Sequence, residues 1–140
     1  MPPTIGVFDS GFGGLTVLRE LRKVLPGAGY LYFGDTAHLP YGAKSVRTVV
    51  KYAVASAHFL EEHGIDMLVV ACNTATALAL DEIRDAVKVP VVGVVEPGSQ
   101  RAAHISKTKK VAVIATEATV TSHAYQKALH RLGMQATEKA

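Results

Sequence analysis

The sequence predicts an α/β protein, a parallel sheet flanked by helices, on two observations. Five short apolar runs rich in Val and Ile, at residues 4–8, 30–34, 67–71, 91–95 and 111–115, follow one another without strict alternation of apolar and polar positions. That is the pattern of strands buried on both faces. Between the runs lie segments whose apolar residues return every three or four positions, as on one face of a helix. Strands that alternate with helices need crossover connections, and right-handed crossovers cover both faces of one parallel sheet.

The first run ends at Asp9 and opens into the glycine-rich turn Ser10-Gly11-Phe12-Gly13-Gly14. Val17, Leu18, Leu21, Val24 and Leu25 then mark one face of a first helix. The second run leads into Asp35-Thr36-Ala37-His38-Leu39-Pro40-Tyr41-Gly42. A second helix follows, with Val46, Val49, Val50, Ala53, Val54, Ala57 and Leu60 as its stripe and Gly64 as a left-handed cap. After the third run come Cys72-Asn73-Thr74, where Asn73 and Thr74 can cap a helix over residues 75–87. The fourth run is followed by Glu96-Pro97-Gly98-Ser99, and the crossover at 97–106 is short and weakly periodic. The fifth leads through Thr116 to Thr121 into a helix at 121–132, with Ala124, Tyr125, Ala128, Leu129 and Leu132 inward and Gly133 as its cap. Residues 134–140 stand where the alternation would start another strand, so the sequence reads as cut rather than completed.

Composition narrows the function classes. The chain has 140 residues, 49% hydrophobic and 19% charged, which is the balance of an ordinary globular domain. Its longest apolar runs fall far short of the roughly 20 residues that span a bilayer. Met1-Pro2-Pro3-Thr4 lacks the layout of a secretory signal, so a cytoplasmic protein away from the membrane is expected. The net charge is +3, and the densest basic group, Lys107, Lys109 and Lys110, has no aromatic neighbours for base stacking. It reads as a solvated loop, and no nucleic-acid partner is expected. A single cysteine excludes an internal disulfide and a multi-cysteine zinc site, and the six histidines show no ligand spacing. No metal site is expected.

In open α/β sheets, ligands bind beyond the carboxyl ends of the strands. Here those loops carry Asp9, Ser10, Asp35, Cys72 and Glu96. The glycine-rich loop is no dinucleotide fingerprint, because Thr16 stands where a third glycine is required. It is equally an anion-binding nest or a tight turn. Cys72, at a strand end and a helix start, is placed where the helix dipole favours thiolate over thiol; the bland alternative is a buried small hydrophobe. Asp9 and Asp35 can accept an ammonium or serve as helix caps, and Glu96 is equally a turn residue. His38 and His123 lie in or near these loops, and the other histidines read as helix-surface residues.

Three segments together carry a resemblance: Ile5-Gly6-Val7-Phe8-Asp9-Ser10-Gly11-Phe12-Gly13-Gly14-Leu15, Tyr32-Phe33-Gly34-Asp35 with Pro40-Tyr41-Gly42, and Val70-Ala71-Cys72-Asn73-Thr74-Ala75. In that order the chain resembles the glutamate racemases, within the wider aspartate/glutamate racemase group. The resemblance implies a two-domain pseudo-symmetric enzyme without cofactor, in which two cysteines on opposite faces of free glutamate exchange its Cα proton and supply D-glutamate for peptidoglycan. It implies residues 1–95 as the first α/β domain and 96–140 as the beginning of a second. Cys72 is then the first catalytic cysteine, with Asp9, Ser10, Tyr41, Gly42, Asn73 and Thr74 holding substrate and Pro40, Thr116 and Thr119 as further contacts. The second cysteine lies outside these 140 residues, so racemisation by this chain alone is not expected. Open strand edges favour self-association, with a homodimer as one form. Two rival readings are a one-cysteine relative similar to the arylmalonate decarboxylases and a non-catalytic binding module.

Overall fold

The computed structural model describes all of residues 1–140. In chain order the elements are β1 Thr4–Asp9, α1 Leu15–Val24, β2 Gly29–Gly34, a single 3-10 turn Tyr41–Ala43, α2 Val46–Glu62, β3 Met67–Val70 and α3 Asn73–Ala86. There follow β4 Val91–Gly93, α4 Val95–Ile105, β5 Lys110–Ile114, α5 Glu117–Ser122, α6 Ala124–Arg131 and β6 Gln135–Lys139. Every strand pair is parallel, as the continuous apolar runs require.

The five runs do not share one sheet, and this corrects the expectation from sequence. The first four strands form a sheet in the order β2-β1-β3-β4, whereas β5 pairs with β6 in a separate two-stranded sheet. The divergence begins at the fourth strand, which stops at Gly93 instead of running to residue 95. Val94 is already in the right-handed helical region, and α4 starts at Val95 with Glu96 and Pro97 in its first turn. Proline is tolerated there because first-turn N–H groups have no intrahelical acceptor. Residues 96–99, expected as a loop, are therefore helical. The tail at 135–139 supplies the strand that the alternation called for, in register from Lys110 opposite Gln135 to Ile114 opposite Lys139.

The helix expected at 121–132 is two helices. Thr116 caps α5 by accepting the Thr119 N–H at 3.4 Å. His123 then takes a left-handed conformation, φ 55°, which bends the chain into α6. The bend is tied down by the Ala124 N–H donating to Ser122 Oγ and by a 2.8 Å contact of His123 Nδ1 with Glu138 Oε2 on β6. Gly64 and Gly133, with φ of 77° and 73°, are the left-handed positions that the sequence marks.

The core lies mainly on one face of the first sheet. There α2 and α3 close over Phe8, Leu68 and Val70, with Val49, Leu60 and Ile83 completely buried between them. Each large apolar side chain so buried is worth roughly 1.5–3 kcal/mol of transfer free energy. On the other face α1 alone covers Ile5, Val7, Val69 and Ala71, through half-buried Val17, Leu18 and Leu21. Alternation along β2 sends Leu31 and Phe33 to the larger cluster and Tyr30 and Tyr32 to the α1 side. Ala128, Leu129 and Met134 anchor α6 and the start of β6. No helix is long and apolar enough to cross a membrane.

Candidate functional site

The carboxyl ends of β1 and β3 and the start of α5 border a cleft of about 550 Å³. Asp9, Ser10, Pro40, Tyr41, Gly42, Cys72, Asn73, Thr74 and Thr116 all line it. Of the residues that the resemblance names as substrate contacts, Thr119 alone stands behind the wall, buried to 1% exposure.

Cys72 ends the third strand's run in extended conformation and is itself the N-cap of α3. Asn73 and Thr74 were expected to cap this helix; instead they are its first two residues. Cys72 Sγ accepts the Ala75 N–H at 3.3 Å, and its thiol donates to Ser10 Oγ, also at 3.3 Å. An extended cap residue can turn a side-chain acceptor onto the exposed amides of the first turn, and sulfur does so here. The N–H groups of Asn73 and Thr74 have no partner inside the helix for the same reason. The sulfur is thus held at the positive end of a helix, beside a hydroxyl, on the cleft wall.

Asp9 shapes the neighbouring loop. Its Oδ2 accepts the N–H of Gly14 at 2.9 Å and of Gly11 at 3.2 Å, and Tyr32 donates its hydroxyl to Gly11 O at 3.0 Å and to the same carboxylate oxygen at 3.4 Å. A side chain at Gly14 would bring its Cβ to 2.6 Å from the Asp9 Cβ, so only glycine lets the loop fold onto this carboxylate. Burial, then the negative charge of Asp9, pushes the Tyr32 hydroxyl up to about 12.

The loop after β2 enters by a different route. Tyr41 is buried and donates its hydroxyl to Asp35 Oδ2 at 2.6 Å, while His38 Nδ1 lies 2.7 Å from Asp35 Oδ1 with its ring stacked on Tyr52. Burial and the Asp35 carboxylate hold the Tyr41 hydroxyl well above the usual phenol range. The Asp35–Tyr41–His38 set therefore anchors the 3-10 turn from behind and leaves the main chain at Pro40–Gly42 facing the cleft. Gly42 abuts Thr116, with a Cβ there falling 2.6 Å from the threonine Cβ. Glu96 is drawn away into a pair with Arg131, and His123 is occupied by Glu138.

Three hydroxyls cluster here, Thr74 and Thr116 on the cleft wall and Thr119 behind it. Thr74 Oγ1 lies 3.0 Å from Thr116 Oγ1 and 3.2 Å from Thr119 Oγ1, and the latter two are 2.9 Å apart. They join α3 to α5 across the two sheets. The amino ends of α1, α3 and α5 all border the cleft, which suits small anionic groups, while Asp9 offers a carboxylate to a cation. Tyr32 and Tyr125, whose hydroxyl meets Asn73 Oδ1 at 2.5 Å, border this geometry without having been singled out from sequence. Tyr32 carried one signal, a place on the opposite face of β2 from Leu31 and Phe33; Tyr125 read as an inward core residue.

The family model described as Asp/Glu/Hydantoin racemase matches residues 5–139. The glutamate racemase of Koribacter versatilis (strain Ellin345) is 65% identical over 138 residues, covering 99% of this chain and 47% of that protein. Among solved structures, glutamate racemase from Aquifex pyrophilus superposes with a TM-score of 0.95 at 47% identity, over 98% of this chain and 54% of that one. The Francisella tularensis glutamate racemase in complex with D-glutamate gives a TM-score of 0.88 at 38% identity, over 97% of this chain and 52% of that one. The chain thus spans about half the length of the relatives it matches. With nearly its whole length matched by that model, the chain belongs to the Asp/Glu/Hydantoin racemase family.

Proposed function

We propose that this chain carries the first half of a glutamate racemase, with residues 1–95 as its first domain and 96–140 opening its second. The observation that carries the reading is Cys72 Sγ, held between Ser10 Oγ and the Ala75 N–H on a cleft bordered by three helix amino ends. Free glutamate presents two carboxylates, which match helix-start N–H groups, and one ammonium, which matches Asp9. The similar Francisella protein with D-glutamate bound supports that choice of substrate.

In the proposed reaction the Cys72 thiolate removes the Cα proton of D-glutamate. The C–H electron pair moves into the adjacent carboxylate, where donors such as the Asn73 and Thr74 N–H groups stabilise the developing charge. A second thiol, from a residue outside these 140, protonates the opposite face. Two bases facing each other invert the centre without turning the intermediate over. The free edge of β5 supports a place for that half, because its carboxyl end leads to Thr116, which lines the same cleft as Cys72. Supply of D-glutamate to peptidoglycan in a bacterial cytoplasm is part of the same proposal.

Cys72 is the sole cysteine, so its alkylation by iodoacetamide is followed without ambiguity by mass spectrometry. D-Glutamate is expected to slow that reaction saturably and D-lysine to leave it unchanged. Absence of protection at about 10 mM, above the usual range of substrate affinities, would sink the substrate assignment.

A further inference from the structure

Asn73 is the first residue of α3, beside Cys72, and its side chain borders the cleft from the edge of the second sheet's helices. A carboxamide has one acceptor oxygen and one NH₂ with two donors, on opposite sides of the group. The Tyr125 hydroxyl donates to Asn73 Oδ1 at 2.5 Å, so the acceptor is engaged and Nδ2 points the other way. Tyr125 belongs to α6, in the other half of the molecule, and reaches Asn73 by passing Gly98 of α4. A Cβ on that glycine would lie 3.6 Å from the Tyr125 hydroxyl and 3.7 Å from the ring, ordinary contact distances that show how closely the ring lies over the helix. Burial raises the Tyr125 hydroxyl above the usual phenol value, which keeps it a donor at neutral and mildly alkaline pH.

We propose that Tyr125 is a positioning residue: its hydrogen bond fixes the Asn73 carboxamide with its donors toward the cleft, and this biases the site beside Cys72 toward anionic groups. Without the bond the amide can rotate by half a turn and present its oxygen, which repels a carboxylate. Because Tyr125 and Asn73 lie on different halves, the bias exists only when α6 is docked against α3. The inference deepens the glutamate reading, but its test does not need glutamate.

Two reagents of similar size report the bias at the single thiol: iodoacetate, which is anionic, and iodoacetamide, which is neutral. The ratio of their alkylation rates at Cys72 is measured in the full 140-residue chain. Tyr125→Phe is expected to lower the iodoacetate-to-iodoacetamide ratio roughly fivefold, the effect of one hydrogen bond to a charged group, partly screened by solvent. In an Asn73→Ala background the same substitution should leave the ratio where it stands, since there is no amide to orient. A structural disturbance would change both rates together. An unchanged ratio in Tyr125→Phe, or an equal fall in both backgrounds, would overturn the proposal. If Tyr125→Phe does not fold by circular dichroism, Asn73→Asp replaces the donors with a carboxylate while keeping the acceptor for Tyr125. The ratio should then fall further, and no fall there overturns the proposal equally. D-Glutamate protection of the wild-type thiol is scored separately, so loss of the substrate reading leaves this result standing and the reverse.

Discussion

Tyr41 shows how a side chain can belong to a site without facing it. Its hydroxyl closes onto the buried carboxylate of Asp35, and His38 supplies the only other side-chain partner. Tyr41→Phe removes the stronger donor and leaves Asp35 Oδ2 in a space nearly closed to water. A loss of about 1–3 kcal/mol in urea unfolding is expected, and a change below 0.5 kcal/mol, the usual scatter of surface substitutions, would mean that water replaces the hydroxyl. Tyr32 makes a pH-dependent contribution. Its hydroxyl is protonated in the folded state up to about 12 and in the unfolded chain only to the ordinary value of 10.0. The folded state therefore binds more protons between those values, and stability present below pH 10.0 is lost as pH rises toward about 12. Tyr32→Phe should flatten the fall of the urea midpoint with pH in that window; an identical slope would refute the assignment. At this scale the sequence was informative where position alone conferred meaning. Asp9, Ser10 and Cys72 end buried strands, and that places them on the cleft. Asp35 ends a strand too, but its direction depends on Tyr41 and His38, whose approach no local pattern encodes.

Glycines separate the elements that are merely turned from those that are tightly approached. Gly13 has no atom within 4 Å of an added Cβ and an ordinary φ, so Gly13→Ala should change stability by less than about 0.5 kcal/mol. At Gly34 a Cβ would meet the Gly11 carbonyl oxygen at 2.4 Å, and backbone cannot step aside as a side chain can. Gly34→Ala should cost more than about 2 kcal/mol by forcing β2 away from the glycine loop. Gly42→Ala belongs between them, because Thr116 at 2.6 Å sits at the start of a short helix that can shift. Its expected mark is functional: loosened α5 and weaker D-glutamate protection of Cys72, read by the same alkylation assay. The apolar periodicity of α2 and the left-handed glycines after α2 and α6 were visible in the sequence because they are local. The split between α5 and α6 was hidden, since a histidine at φ 55° is held by Glu138, distant in sequence.

Across the whole molecule, few polar side chains join the two halves: the hydroxyls of Thr74, Thr116 and Thr119 and the Tyr125–Asn73 bond. Thr74 and Thr119 are buried, so their hydroxyls carry most of that polar cohesion. Thr119→Val keeps the shape and removes the central hydroxyl; it should cost about 1–2 kcal/mol and speed amide hydrogen exchange in α5 ahead of α2. Unaltered exchange in α5 would show that apolar packing alone docks it. The parallel α/β class, the order of elements and the strand-end loops followed from the sequence by itself, because periodicity and glycine placement act over a few residues and survive any change of partner. Which strands share a sheet did not follow. A run such as 111–115 is equally apolar beside β4 or beside β6, and its pairing with β6 is fixed only by how α4, α6 and β6 pack together. The same holds for the cleft: sequence brings Cys72 to a strand end, but the nearness of Ser10, Thr116 and Tyr125 arises only when separated elements pack, since their contacts depend on three-dimensional distance and leave no trace in spacing along the chain.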